Sequence, residues 1–154
     1  MTDTCSIIAC TLDESSLIRS DQFKDERERA VTDLLKQNTF SLNTAKGPYA
    51  LAISLAESRI VIEVSNDSDE PLETISLSMS SLRRIMKDYA IICESYFEAI
   101  RFADPQKVEA IDMGRRSAHN DGAQLLREHL EANAETDLET ARALFSIFYL
   151  LCRK

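Results

Sequence analysis

A charged segment in the second half of the chain carries the residue types that acid–base chemistry or anion binding requires. Its members recur at intervals of three and four residues: Asp112, Arg115, Arg116 and His119. In an α-helix these intervals place side chains on one face, so the four groups could act together. Two arginines could hold a phosphate or carboxylate, and the histidine could transfer a proton if Asp112 or Asp121 oriented it. The segment therefore contains a candidate anion-binding or catalytic site.

The same segment also has a purely structural interpretation. The predicted helix would place Arg115 and Gly122 where a core helix carries large apolar side chains, and each glycine costs about 1 kcal/mol relative to alanine. Arg115 could instead be half-buried and paired with Asp88 or Glu94 of the preceding helix. Gly114 and Gly122 would then let two helices approach closely.

The functional interpretation assigns the polar groups to a ligand, because violations of local sequence rules concentrate at functional sites. Both interpretations stay open on the sequence alone. The candidate catalytic residues are His119, Asp112 and Asp121, and the candidate ligand-binding residues are Arg115, Arg116, His119, Asn120, Asp88 and Glu94.

Spacing limits the chemistry that this segment could perform. Asp112 and Asp121 are nine residues apart, about 13 Å along a straight helix, so they could pair only if the helix broke near Gly114. His119 and Asp112 give only two local metal ligands, too few for tetrahedral zinc, and His129 does not join them. No phosphate-binding loop, dinucleotide-binding, zinc-protease, serine-hydrolase or EF-hand motif occurs. We expect no metal and no cofactor, and we favour a binding protein over an enzyme.

Composition restricts the class of protein. The 154 residues are 44% hydrophobic and 29% charged, which suits a single domain covering residues 1–154. A net charge of −8 makes nucleic acid an unfavourable partner. No stretch reaches the roughly 20 apolar residues of a membrane helix, and no signal peptide is evident. These features predict a cytoplasmic protein with reduced cysteines and no membrane contact.

The apolar pattern predicts the elements that position the candidate site. Short connectors between alternating runs favour antiparallel strands, and Asp104 with Pro105 marks a helix start. The fold class is therefore α+β: a mostly antiparallel sheet of four or five strands, with one early helix and three C-terminal helices packed on one face. The predicted strands cover residues 6–12, 39–42, 49–55, 60–64 and 75–79, and the predicted helices cover 21–37, 80–100, 105–133 and 137 onwards.

The last helix is apolar almost all round, from Ala143 to Cys152. Ten residues cannot span a membrane, so such a helix is either central in the core or covered by a partner. Because symmetric dimers are the commonest oligomers, we expect a homodimer through this helix.

Two stretches of the chain are distinctive: residues 84–96 (RIMKDYAIICESY) and 109–122 (EAIDMGRRSAHNDG). Both resemble the signatures of uncharacterised protein family 0262, which belongs mainly to alphaproteobacteria. Residues 26–31 and 140–145 are also similar to that family, whereas Ser117 replaces an expected glycine and Asp121 an expected glutamate. The resemblance implies a small bacterial cytoplasmic protein and transfers no activity.

Three hypotheses follow for the function. A homodimeric binding or regulatory protein could use the polar third helix to bind a protein partner or a small anion. A small enzyme could act on a phosphorylated or carboxylated metabolite, and a deep pocket around Arg115, Arg116 and His119 would favour it. RNA or ribosome association would need Arg116 on one continuous surface with a basic cluster at the start of the second helix, formed by Arg83, Arg84 and Lys87.

Overall fold

A computed structural model describes residues 4–13 and 23–152 of the chain. Within these ranges the chain forms six strands and four helices, and the predicted α+β class is confirmed. The predicted start of the first helix, residue 21, lies outside the described residues. In chain order the elements are β1 (Ile7–Leu12), α1 (Lys24–Lys36), β2 (Phe40–Leu42), β3 (Tyr49–Ala56), β4 (Arg59–Ser65), β5 (Pro71–Ser78), α2 (Met79–Phe102), α3 (Pro105–Leu130), β6 (Ala134–Thr136) and α4 (Leu138–Cys152).

The main sheet has the strand order β1-β3-β4-β5. The pairs β3–β4 and β4–β5 are antiparallel, as the short connectors predict. β1 pairs with β3 in parallel, with Leu12 beside Ile53, so the sheet is mixed. Between β1 and β3 the chain passes through α1 and β2, and a parallel pair needs a crossover of this kind.

A second, two-stranded sheet joins distant parts of the chain. β2 does not extend the main sheet but pairs antiparallel with β6, which places Phe40 opposite Thr136. The pattern missed β6, because three residues carry too little alternation to indicate a strand. α3 accordingly ends at Leu130 instead of continuing to residue 133.

One face of the main sheet belongs to the core. Tyr49, Leu51 and Ile53 of β3 are at most 2% exposed, whereas Ala50 and Ala52 between them are only partly covered. Because side chains alternate along a strand, the large apolar groups point to one face and the small groups to the other.

α4 lies in the centre of the helical layer, packed against α1 and α3. Its first turn is capped by Asp137, whose carboxylate accepts the Thr140 N–H at 2.8 Å. Both Phe145 and Phe148 are fully buried, and the ring of Tyr89 from α2 packs edge-on against Phe145. Most of the apolar surface of α4, which motivated the expected dimer, is therefore covered by the chain itself, while Ala143, Leu150 and Cys152 stay partly exposed. A homodimer through α4 stays a prediction.

α2 and α3 form a long helical hairpin that reaches beyond the core. α2 begins after Ser78, and α3 begins after Asp104, whose carboxylate accepts the Lys107 N–H at 2.9 Å, as predicted for an N-cap. Between residues 94 and 117, Ala99 is the only buried residue. We call residues 94–117 the projecting half of the hairpin, because they extend past the covered parts of both helices.

Within the described ranges, no helix combines the length and the apolar content that crossing a bilayer requires.

The two glycines of α3 differ in what surrounds them. A methyl group at Gly122 would overlap the ring of Phe145, whereas a methyl group at Gly114 would meet nothing within 4 Å. The predicted close helix approach is therefore found at Gly122, against α4, and is absent at Gly114.

We expect Gly122→Ala to lower the free energy of unfolding by about 1–3 kcal/mol, because Phe145 is fully buried and has no space to move into. Gly114→Ala is the matched control, and it should raise the same quantity by about 0.5–1 kcal/mol through helix propensity. Urea denaturation of both variants measures the difference. If both substitutions changed the free energy of unfolding by the same amount and in the same direction, this account of the α3–α4 contact would be contradicted.

Candidate functional site

The carboxylate of Asp112 binds both arginines of the segment. Its Oδ1 atom accepts from Nη2 of Arg115 at 2.6 Å and from Nε at 3.0 Å, and its Oδ2 atom lies 2.9 Å from Nη2 of Arg116. The hydrogen bonds from Arg115 lower the pKa of the Asp112 carboxyl; partial desolvation opposes this, and the positive charges of both arginines add to it. We call these three residues the arginine–aspartate cluster.

The cluster also joins the two helices of the hairpin. The guanidinium of Arg115 on α3 lies over the ring of Tyr96 on α2, with 4.8 Å between its carbon and the ring centroid. A cation over an aromatic ring is attracted by the electrons of the ring face. The prediction that Arg115 pairs with Asp88 or Glu94 is wrong, because Asp112 takes that role and both other acids are exposed.

His119 does not hydrogen-bond to the arginine–aspartate cluster but packs towards α4. Its Nε2 atom is 2.7 Å from Oγ of Ser146 on α4, and its ring packs edge-on against Tyr89 and Phe145 at centroid distances of 5.4 and 5.3 Å. Burial lowers the pKa of His119 to about 4, and the positive charges of Arg142 and Arg115 act in the same direction. The imidazole is therefore neutral near pH 7.

The neutral ring of His119 is a poor catalytic base. A base that works near neutral pH needs a pKa close to that pH, together with a group that orients the ring. The Nδ1 atom of His119 is buried and has no hydrogen-bond partner, so neither Asp112 nor Asp121 orients it. The contact with Ser146 has the residue types of a nucleophile and its base, but it lacks the carboxylate that completes such a site.

The remaining predicted residues do not join the cluster. Asn120 and Asp121 are exposed on α3, and Asp88 and Glu94 are exposed on α2. The structure thus brings Asp112, Arg115 and Arg116 together, whereas His119 is connected to them through Tyr89, which contacts both the ring of His119 and Arg115. Within the described ranges, no three His, Cys, Asp or Glu side chains are grouped as a metal ion would require.

Several residues around His119 were missed by the reasoning from sequence. Ser146 and Arg142 belong to α4, which the sequence presents as an apolar helix with no stated relation to α3. Arg142 donates to Glu139 at 3.2 Å, while its Nε atom is buried without a partner. The sequence contained one signal of this contact between α3 and α4, namely Gly122, because a glycine on the buried face of a helix indicates close approach by another element.

A groove of about 530 Å³ lies at the projecting end of the hairpin, between the end of α2 and the start of α3. Phe102 at its edge is 82% exposed, the highest value among the large apolar side chains of the described residues. The groove is lined by Ser95, Glu98, Ala99, Phe102, Ala103, Asp104, Lys107 and Ile111.

The lowered pKa of His119 makes stability depend on pH. The unfolded chain takes up a proton near pH 6.5, whereas the folded chain does so only near pH 4. Stability from the neutral ring is therefore complete above pH 6.5 and is lost as the pH falls towards 4. We expect this loss to be about 1–2 kcal/mol after solvent screening at a partly exposed site is allowed for.

Urea denaturation between pH 4 and 7 measures this loss. His119→Gln removes the titrating ring and should flatten the profile by the stated amount relative to the unchanged protein. His129→Gln, an exposed residue of the same helix, is the control and should leave the difference in place. Identical profiles for all three proteins would show that His119 is not held neutral by the fold.

Comparison with known proteins supplies the family. A model of the Uncharacterised protein family (UPF0262) matches residues 4–154. The UPF0262 protein of Rhodospirillum rubrum is 43% identical over 150 residues, which are 97% of this chain and 93% of that protein. The UPF0262 protein of Xanthobacter autotrophicus is 44% identical over 146 residues, covering 93% of this chain and 89% of the relative.

A third relative is similar over nearly the whole of both chains, and solved structures do not extend the comparison. The UPF0262 protein of Azorhizobium caulinodans is 44% identical over 149 residues, with 94% and 92% of the two chains covered. No solved structure matches this chain significantly. The family expected from residues 84–96 and 109–122 is confirmed: the chain belongs to the uncharacterised protein family UPF0262.

Proposed function

We propose that this protein is a binding protein that recognises a protein partner through the groove at the projecting end of the α2–α3 hairpin. The observation that carries the proposal is Phe102, which is 82% exposed beside a groove of about 530 Å³. Large aromatic side chains next to a concave surface are typical of sites that bury a partner's side chain.

The lining of the groove suits an apolar side chain with a positive neighbour. Ala99 and Ile111 give an apolar floor, and Phe102 adds an apolar side chain at the edge. The rim carries the carboxylates of Glu98 and Asp104 and the ammonium group of Lys107. Two negative charges against one positive charge favour a partner segment that places lysine or arginine beside its apolar anchor residue.

The arginine–aspartate cluster has a supporting role in this proposal. Arg115 stacks on Tyr96 across the hairpin, and its partner Asp112 directly follows Ile111 of the groove floor. The cluster therefore holds α3 against α2 near the groove. Because Asp112 engages both guanidinium groups, an incoming phosphate or carboxylate would have to displace that carboxylate first.

The enzyme hypothesis receives less support from this geometry. A reaction on a phosphorylated or carboxylated metabolite would need His119 near the two arginines, and His119 is bonded instead to Ser146. The small groove beside Ser146, about 190 Å³ between α1 and α4, is lined by Glu26, Arg29, Ala30, Asp33, Ala143 and Ser146. Its two carboxylates make it unsuited to an anion.

Photo-crosslinking in the cells that produce the protein tests the binding groove. A photoreactive amino acid in place of Lys107 should give a discrete covalent adduct with a partner protein, and Phe102→Ser should abolish that adduct by removing the aromatic side chain. The same amino acid in place of Thr74, exposed on the opposite face of the sheet, is the control and should give none. An adduct that survives Phe102→Ser would refute the groove as the binding surface.

A thermal-shift titration with inorganic phosphate tests the anion hypothesis directly. We expect phosphate to shift the melting temperature equally in the unchanged protein and in Arg116→Ala, because the Asp112 carboxylate already pairs with Arg116 at 2.9 Å. A stabilisation by phosphate that disappears in Arg116→Ala would replace the proposed function with anion binding.

A further inference from the structure

We propose that a second copy of this chain docks on the inner face of α2, at Phe97 and Ile100, in an antiparallel pair with two-fold symmetry. This surface is separate from the partner groove at Phe102, so the inference goes beyond the proposed function.

The inner face of α2 is one continuous apolar stripe. Its members follow one another at intervals of four and three residues, which keeps them on one side of a helix. The first four of them are buried, at most 7% exposed, whereas Phe97 is 57% exposed and Ile100 is 53% exposed. In chain order the stripe consists of Leu82, Met86, Tyr89, Cys93, Phe97 and Ile100.

The fold thus buries the first part of the stripe and leaves the last part open. The open part begins where the projecting half of the hairpin begins. An exposed phenylalanine and isoleucine in line with a buried stripe indicate a core that the described part of this chain does not complete by itself.

The stripe and the partner groove lie on different sides of α2. Successive helix positions differ by about 100°, so Phe102, five residues after Phe97, points about 140° away from it. A substitution at one of these two phenylalanines therefore tests one surface and leaves the other intact.

Charges beside the open stripe identify a second copy as the occupant. Glu94 precedes Phe97 by three residues and Arg101 follows it by four, so both lie along the same edge of the stripe. Both are exposed, and neither takes part in an ion pair within residues 4–13 and 23–152. Glu98, which lies between them in the chain, points about 100° away from Phe97 and belongs to the groove lining. The acid and the base next to the stripe, seven residues apart, form a pattern that is complementary to itself when reversed.

The register follows from that pattern. If the two-fold axis passes between Phe97 and Glu98, residues at equal distances on either side lie at the same level along the paired helices, and those on the interface side come into contact. Glu94 of each copy then faces Arg101 of the other copy, which gives two equivalent ion pairs. The Phe97 and Ile100 side chains of both copies meet between these pairs, so the apolar centre has a charged rim, as protein interfaces commonly do.

The neighbouring side chains suit the centre of such an interface. The ring of Tyr96 is 5.8 Å from the ring of Phe97, and Arg115 lies over Tyr96. Tyrosine and arginine are enriched among the residues that dominate binding energy at interfaces. The arginine–aspartate cluster would then hold these side chains in place at the edge of the dimer contact.

Sedimentation equilibrium of the full chain over a range of concentrations tests the inference. We expect a monomer–dimer equilibrium, and Phe97→Glu should raise its dissociation constant at least about ten-fold, because it places a charge in the apolar centre. Phe102→Glu makes the same chemical change on the other side of the helix and is the matched control, which should leave the dissociation constant unchanged. Circular dichroism of each variant verifies that the fold is retained.

Charge reversal tests the register. Glu94→Arg and Arg101→Glu should each weaken the dimer by creating like-charged pairs, and the double variant should restore it because both pairs are reversed together. A protein that stays monomeric, or a dimer equally sensitive to Phe97→Glu and Phe102→Glu, would overturn the inference. If Phe102→Ser abolishes the photo-crosslinked adduct at position 107 and leaves the dimer intact, the groove and the dimer surface are two separate binding surfaces.

Discussion

The contact between Gly122 of α3 and the ring of Phe145 of α4 is the constraint on which the helical layer depends. A side chain at position 122 would occupy the space that the ring fills, so only glycine lets the helices meet at this distance. The ring is then surrounded by Tyr89 and His119, which pack edge-on against it. α4 can therefore lie in the centre of the protein with most of its apolar surface covered, although an apolar helix often indicates an external partner.

Burial at this contact also decides the chemistry of the polar residues nearby. His119 enters the apolar environment beside Phe145 and keeps only Ser146 as a hydrogen-bond partner, so its charged form is disfavoured. Asp112 remains near the surface, where it binds two guanidinium groups at once. Asp112 and His119 lie on one face of α3 by spacing, but one is near the surface and the other is in an apolar environment. This difference makes His119 a structural residue and leaves Asp112 with the two arginines as a charged contact between α2 and α3.

Much of this fold could be predicted from residue patterns, because its elements are amphipathic. The alternation in β3 and β4 and the stripe of α2 each mark a buried face, and Asp104 followed by Pro105 marks the start of α3. The parallel β1–β3 pair and the strand β6 could not be predicted, because their partners lie far away in the chain and periodicity reports only local structure.

The candidate site was predictable only in part, for the same reason. Spacing on α3 correctly grouped Asp112 with Arg115 and Arg116, since intervals of three and four residues determine that contact. The partner of His119 comes from α4, 27 residues later, and depends on how two helices cross. The exposure of Phe97 and Ile100 at the end of the α2 stripe could not be predicted either, because an apolar pattern does not show where the core ends.

The pairing of β2 with β6 and the central position of α4 have a consequence for how the protein is made. Thr39 donates its N–H to Thr140, and these residues are 101 positions apart. The meander β3–β4–β5 and the α2–α3 hairpin need only neighbouring contacts, so they can form while synthesis continues. The core, however, lacks its central helix until residues 138–152 have left the ribosome. A nascent chain that still lacks α4 would thus expose the surface that Phe145 and Phe148 normally fill.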